Sequence, residues 1–196
     1  MSTTRWLTVF VSVFSLMACA NNTPKKLLSD TTPNDFAQLV TVSRSDDQLA
    51  TSILYSMKGN VIGRSAFLAA TRDKKTGIVD YVLVANFQYS DRNWRFYDYA
   101  TYETSDGPVD VSTLNIGRDV NCYKSICSYV ENIAIPLSEK MIRYIAGRYK
   151  QGESNMWRFR IRSKSGEAYN SELAPAEAVG LLQKIELDNK SKPSSR

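Results

Sequence analysis

The alternation of apolar and polar residues in the middle of the chain predicts β-strands. Residues 66–72 and 78–89 flank a polar stretch, 73–77, which ends in glycine as a short hairpin loop does. The continuous apolar run at 81–85 is typical of a central strand. The same criteria predict further strands at 49–57, 94–103, 109–120, 128–136, 156–163 and 167–172. The spacing at 49–57 also fits a helix, and we favour the strand there.

Helical spacing is clearest in the second half of the chain. Ser138 can cap a helix that runs to residue 150, and Pro175 suits the first turn of a last helix. The inward face of that last helix is expected to contain Val179, Leu182 and Ile185. A weaker pattern at 32–40 fits either a short capped helix or a strand. The chain is therefore expected to adopt an α+β fold, with a mainly antiparallel β-sheet on which two C-terminal-half helices pack.

The first 18 residues do not fit this pattern. Arg5 is followed by an uncharged run, 6–18, in which ten of thirteen residues are apolar. A positively charged start followed by an apolar segment of this length is typical of a secretory signal peptide. The run is shorter than a transmembrane helix, which needs about 17–25 residues.

The apolar run ends in Leu16-Met17-Ala18-Cys19, and this motif resembles the lipobox of bacterial lipoproteins. The resemblance covers four residues. It implies cleavage before Cys19, attachment of diacylglycerol to its sulfur, and N-acylation by a fatty acid such as palmitate. Several acyl chains together anchor a protein stably in a membrane. The next residue is Ala20 rather than Asp, which by the same resemblance implies export to the outer membrane, facing the periplasm.

The chain is expected to have four parts. Residues 1–18 form the signal peptide, and 19–33, rich in Asn, Thr and Ser, form a lipidated flexible tether. Residues 34–187 form a single α+β domain that resembles no functionally defined family. Residues 188–196 form a polar, basic tail.

The composition excludes several kinds of chemistry. The chain contains no histidine, which rules out a Ser-His-Asp triad, a Cys-His nucleophile pair and an HExxH zinc site. It also lacks a Ser-x-x-Lys motif. We therefore favour a protein that is not an enzyme and assign no catalytic residue, cofactor or metal ligand. The net charge is +5, whereas nucleic-acid-binding proteins typically carry a denser positive charge. No nucleic-acid partner is therefore expected.

Cys122 and Cys127 remain as a pair if Cys19 is lipidated. An exported protein matures in an oxidising compartment, and the residues between the two cysteines can close a tight turn between strands. The alternatives are a redox site or a metal site. However, four residues separate these cysteines, whereas two residues separate the cysteines of a thioredoxin-like motif. No further cysteine or histidine completes a zinc site. We therefore expect a structural disulfide.

Cations alternate with apolar residues in the strand predicted at 156–163. The cations Arg158, Arg160, Arg162 and Lys164 are expected to share one face at intervals of about 7 Å, opposite Trp157, Phe159 and Ile161. Arginine recognises phosphate and carboxylate groups, so this row is a candidate binding site for an anion or an acidic partner. The alternative is a solvated sheet face that neighbouring acids neutralise. A two-residue turn at Ser165 and Gly166 would set Arg162 opposite Tyr169.

Aromatic residues are concentrated in the middle of the chain, which contains eleven tyrosines in all. Tyr97, Tyr99 and Tyr102 could line a groove for a sugar or a peptide. Such residues more often form cross-strand pairs that stabilise a sheet. Both interpretations remain open from the sequence.

These features favour a lipid-anchored protein of the bacterial cell envelope that acts as a non-enzymatic binding module in the periplasm. Its expected contacts are the membrane, through the lipid on Cys19, and another envelope protein or an anionic envelope glycan or lipid. The alternative functions are a carboxylate-dependent hydrolase of envelope glycans and an inhibitor of such an enzyme.

Overall fold

The structure is a computed structural model that describes residues 31–44, 52–57, 66–124 and 126–191. The expected signal peptide, Cys19 and most of the expected tether lie outside the described residues. The lipobox therefore stays a prediction. Within the described part of the chain, no helix is long and apolar enough to cross a membrane.

The described residues form ten strands and three helices. The strands are β1 Val40–Arg44, β2 Ser52–Met57, β3 Ala66–Asp73, β4 Val79–Asp91, β5 Tyr97–Thr104, β6 Gly107–Ser112, β7 Leu114–Tyr123, β8 Ile126–Leu137, β9 Trp157–Ser163 and β10 Ala168–Leu173. The helices are α1 Pro33–Leu39, α2 Glu139–Gly147 and α3 Pro175–Lys190. The predicted α+β fold is confirmed, and the two longer helices, α2 and α3, lie in the C-terminal half as expected.

The strands form two antiparallel sheets. The six-stranded sheet has the order β1-β2-β3-β4-β8-β7, and the four-stranded sheet has the order β10-β9-β5-β6. The chain changes sheet between β4 and β5, where Phe96 adopts a positive φ of 55°. These two successive strands therefore lie in different sheets and do not pair with each other.

The inner faces of the two sheets meet in one core. Phe87 of β4 stacks on Tyr97 of β5, with ring centroids 3.8 Å apart, and contacts the edge of Tyr169 of β10 at 5.2 Å. Towards the other end of the six-stranded sheet, Glu177 of α3 accepts a hydrogen bond of 2.7 Å from the backbone N–H of Leu68. The two sheets and the helix α3 therefore share a single hydrophobic core.

Local signals explain where the helices begin. Thr32 caps α1, because its hydroxyl accepts from the N–H of Asp35 while the Asp35 carboxylate accepts from the N–H of Thr32. Ser138 caps α2 as predicted, by accepting from the N–H of Met141 at 3.1 Å. Pro175 begins α3 without a side-chain cap.

Helix α3 differs from its prediction in its end and in its buried side. Of the residues expected to face inward, Ile185 is buried, whereas Val179 and Leu182 are half-buried and Leu181 is fully buried. The helix also runs to Lys190, so the boundary expected at residue 187 falls inside it. The reason is that Asp188 is buried, where it pairs with arginines from β1 and β3 and accepts from a tyrosine hydroxyl of β2.

Candidate functional site

Strand β9 presents its arginines on the exposed face of the four-stranded sheet, as predicted. Its buried residues are Trp157, Phe159 and Ile161, and its exposed residues are Arg158, Arg160 and Arg162. Lys164 follows the end of β9 and lies in the turn. The alternation places the apolar side chains in the shared core and leaves the guanidinium groups in solvent.

The row of four cations divides into two pairs. Arg162 forms an ion pair with Asp110 of β6 at 3.2 Å, and Lys164 forms one with Asp98 at 3.6 Å. Within the described part of the chain, Arg158 and Arg160 form no ion pair and no side-chain hydrogen bond. Of these four cations, only Arg158 and Arg160 therefore have no ion-pair partner among the described residues.

The hairpin of β9 and β10 has a longer turn than predicted. Arg162 lies opposite Ala168, so the prediction that it faces Tyr169 is wrong. The cause is a three-residue loop, 164–166, which closes through a hydrogen bond from the Ser163 N–H to the Glu167 carbonyl and ends at Gly166 with φ +98°. The same register places Arg158 opposite Glu172 and Arg160 opposite Asn170.

Arg158 and Arg160 line a shallow depression of about 410 Å³ on this sheet face, which we call the arginine groove. Its other polar lining residues include Thr101, Glu103, Asn170 and Glu172. Arg160 lies opposite Asn170 on β10 and opposite Thr101 on β5. The Asn170 amide can donate a further hydrogen bond beside the guanidinium group, whereas the Thr101 hydroxyl already donates to Asp110.

Two carboxylates border the groove on either side of Arg158. Glu172 is exposed and lies across from Arg158 on β10, and Glu103 is half-buried on β5. The Glu103 carboxylate accepts from Arg148 Nη1 at 3.3 Å, which neutralises it. The sequence could not indicate this arrangement, because it depends on how the β9–β10 hairpin pairs with β5, which is far away in the chain.

The aromatic residues considered as a groove lie mostly in the core. Tyr97 and Tyr102 are 5% and 9% exposed, whereas Tyr99 is 51% exposed. A β-bulge between Tyr97 and Tyr99 shifts the pairing of β5 with β9, so Tyr97 shares the inner face with Tyr102. The interpretation of all three tyrosines as a binding groove is therefore wrong.

A second charged cluster lies where the chain passes from β4 to β5. Glu131 is fully buried and accepts hydrogen bonds from the Phe96 N–H at 3.0 Å, from Arg118 Nε at 3.3 Å and from the Tyr89 hydroxyl. Burial, and secondly the contact with Glu131, raise the pKa of Tyr89 well above its usual range. The carboxylate holds Phe96 in its positive-φ conformation, which gives the cluster a structural role.

The structure brings Cys122 and Cys127 together at the end of the β7–β8 hairpin. They lie directly opposite each other in the register of the two strands, and their sulfur atoms are 2.07 Å apart, at disulfide distance. In the part of the chain that the structure describes, no group of three or more Cys, Asp or Glu residues could hold a metal ion.

No family model, no curated protein and no solved structure matches this chain. The candidate site therefore rests on the geometry of the arginine groove alone.

Proposed function

We propose that this chain is a lipid-anchored protein of the bacterial cell envelope, whose domain faces the periplasm from the outer membrane and binds an anionic group of another envelope component. The single observation that carries the binding proposal is the pair Arg158 and Arg160, two exposed guanidinium groups without an ion-pair partner among the described residues. The proposal of a lipid anchor rests on Cys19 and the three residues before it.

The chemistry of the arginine groove favours a phosphate or carboxylate group. A guanidinium group donates two parallel hydrogen bonds to either anion, and these are stronger than hydrogen bonds between neutral groups. An anion that enters beside Arg160 breaks no existing ion pair, and the Asn170 amide offers an additional hydrogen bond. The repulsion from Glu172 would favour an anion that also carries a hydroxyl or amino group near this end.

One observation favours a second candidate function, the hydrolysis of an envelope glycan. Glu103 and Glu172 lie on the strands either side of β9, so their backbones are about 10 Å apart. Inverting glycosidases hold two carboxyl groups about 6.5–9.5 Å apart. However, Glu103 is bonded to Arg148, and Arg158 stands between the two acids. A scissile bond would have to lie between the two acids, where Arg158 already stands, so binding is the favoured function.

A titration of the full chain tests the binding proposal. Purified in a non-ionic detergent, the protein is titrated by calorimetry with polygalacturonate, a soluble anionic polysaccharide, and with inorganic pyrophosphate. Replacing both Arg158 and Arg160 by Gln should weaken binding at least tenfold, because a hydrogen bond to a charged group contributes about 1.5–3 kcal/mol. The matched control is Arg143→Gln, which removes an exposed arginine paired with Glu139 on α2. Equal affinities of the double variant and the control would contradict the proposal.

The same preparation tests the second candidate. If the groove hydrolyses a glycan, the wild-type protein should release reducing ends from peptidoglycan, and Glu172→Gln should abolish the release. If the groove only binds, no reducing ends appear, and Glu172→Gln binds the anionic probes at least as tightly as the wild type.

Cell fractionation tests the lipid anchor. Cys19→Ala should move the protein from the membrane fraction to the soluble fraction, because it removes the sulfur that carries diacylglycerol. Thr23→Ala, in the expected tether, is the matched control and should leave the protein in the membrane fraction. An unchanged distribution of Cys19→Ala would mean that the lipobox interpretation is wrong.

A further inference from the structure

A second depression lies on the other sheet, at the end of the β7–β8 hairpin. It has a volume of about 440 Å³, and we call it the hairpin groove. Its lining includes Gln88, Asp119, Asn121, Tyr123, Ile126 and Ser128. In the register of the six-stranded sheet, these residues form three adjacent rows across the strands. The first row contains Gln88, Val130 and Asp119, the second contains Ser128 and Asn121, and the third contains Ile126 and Tyr123.

The rows lie on the face of the six-stranded sheet that points away from the core. Successive residues of a strand point to opposite faces. On β8, Glu131 and Ile133 are buried on the core side, so Ser128 and Val130 belong to the opposite side. The hairpin groove is therefore on a different sheet from the arginine groove.

The polar groups of the hairpin groove are available to a ligand. The side chains of Gln88, Asn121 and Ser128 have no hydrogen-bond partner among the described residues. Each of them can both donate and accept a hydrogen bond. Asp119 uses one carboxylate oxygen to accept from the N–H of Val120 at 2.8 Å, which leaves its other oxygen free to accept.

The apolar end of the groove is unusually exposed. Tyr123 is 75% exposed and Ile126 is 68% exposed, and the two face each other as a cross-strand pair. The disulfide pair Cys122 and Cys127 occupies the next position of the hairpin and ties the two strands together there. A ring held on a crosslinked hairpin loses little conformational entropy when a ligand packs against it.

The charges of the groove indicate which ligands it suits. Asp119 is the only charged side chain among its described lining residues, and the Lys124 ammonium group lies over the Tyr123 ring at 5.4 Å from its centroid. These opposite charges offset each other, so the groove suits a ligand without net charge. Hydroxyl groups donate and accept in the same way as the amide and hydroxyl side chains that line the groove. The C–H groups on one face of a pyranose ring carry partial positive charge and pack against the negative face of an aromatic ring.

We propose that the hairpin groove binds an uncharged oligosaccharide, with one sugar ring packed on Tyr123 and its hydroxyl groups bonded to Asn121, Ser128 and Gln88. This site is separate from the anion-binding site proposed above, and neither proposal depends on the other. A protein with both sites would hold a neutral glycan and an anionic group on two different sheets.

An extended polypeptide is the competing occupant. Among the described strands, β7 is the last of the six-stranded sheet, so its outer backbone groups face no other described strand, and Leu114 and Ile116 on it are more than half exposed. A peptide that added to this edge would form backbone hydrogen bonds along β7 and would not need Tyr123 or Asn121. This difference separates the two occupants.

The experiment is a titration followed by nuclear magnetic resonance. The full chain, labelled with ¹⁵N and held in a detergent without a sugar headgroup, is titrated with the tetramer of β-1,4-linked N-acetylglucosamine and with cellotetraose. We expect saturable shifts of the backbone amides at 86–90 and 119–130 with at least one of the two sugars. Tyr123→Ala should weaken binding about threefold to tenfold, whereas Tyr123→Phe, which keeps the ring, should bind as the wild type does. Asn121→Ala should also weaken binding.

The matched control is Tyr99→Ala. It removes an exposed tyrosine from the four-stranded sheet and should leave the affinity for the sugar unchanged. All these positions are exposed, and thermal unfolding verifies that each variant folds. The absence of saturable shifts with both sugars at millimolar concentration would overturn the proposal. Shifts spread along the whole of β7, or equal affinities of Tyr123→Ala and Tyr99→Ala, would overturn it as well.

Discussion

The replacement of Gly180 by alanine tests the packing of α3 against α1. Gly180 lies in the interior of α3, and a Cβ atom built there would be 2.6 Å from the carbonyl oxygen of Pro33. It would also be 2.7 Å from the Cβ of Phe36 and 2.8 Å from the backbone nitrogen of Ala37. Non-bonded atoms pack best at about 3.5 Å or more, so the two helices would have to separate by about 0.7–0.9 Å.

The expected cost follows from these contacts. Overpacking a well-packed site costs about 1–3 kcal/mol, and the upper end applies because two of the three close atoms belong to the α1 backbone, which no rotamer change can move. Alanine in place of glycine inside a helix recovers about 1 kcal/mol. We therefore expect Gly180→Ala to lower the free energy of unfolding by about 2 kcal/mol.

Urea unfolding followed by circular dichroism measures this change. Gly147→Ala is the matched control, because Gly147 also lies in a helix but its added Cβ would meet nothing within 4 Å. The control should be unchanged or more stable by about 0.5 kcal/mol. If Gly180→Ala proved as stable as Gly147→Ala, the close approach of α1 and α3 would be refuted.

Three further predictions concern charges and sulfur atoms. Glu131→Gln should lower the free energy of unfolding by about 2 kcal/mol, because it removes the buried charge that accepts three hydrogen bonds; a urea-unfolding change below about 0.5 kcal/mol would count against this. The backbone N–H of Thr76, and secondly its hydroxyl, donate hydrogen bonds to the Asp73 carboxylate and lower its pKa below 3.8. The carboxylate therefore stabilises the fold above that pH, and this stabilisation is lost as the pH falls through the lowered pKa. A carbon-detected titration should place the midpoint of Asp73 below 3.8, and Thr76→Val should raise it; a midpoint unmoved by the substitution would contradict the assignment. Mass spectrometry after alkylation without reduction should find Cys122 and Cys127 unmodified and linked, and alkylated thiols there would refute the disulfide.

Most strands and helices could be predicted because their signals are local, whereas the strand predicted at 109–120 is two strands in different sheets. The alternation of Trp157, Phe159 and Ile161 with arginines follows from the geometry of one strand, and the structure confirms it. The cap at Ser138 depends on atoms three residues away. The bulge that turns Tyr97 inward was not predictable, because a shift of register depends on the partner strand β9.

The buried acids were missed for a related reason. Glu131, Glu177 and Asp188 are all almost completely buried, although acidic residues are usually exposed. Each is buried because distant groups bond to it, for example the N–H of Leu68 to Glu177 across 109 residues. Nothing near these acids in the sequence signals those partners.

The sequence by itself determined that most of the described chain forms strands, that helices begin after Ser138 and at Pro175, and that one face of β9 carries a row of cations. These properties follow from backbone geometry and from the neighbours of each residue along the chain. Only the tertiary structure decided that Arg162 is neutralised by Asp110, 52 residues away, while Arg158 and Arg160 have no ion-pair partner in the part of the chain that the structure describes. The physical reason is that ion pairs depend on distances of a few ångströms between side chains on different strands, and those distances are set by the order and register of the strands in the sheet.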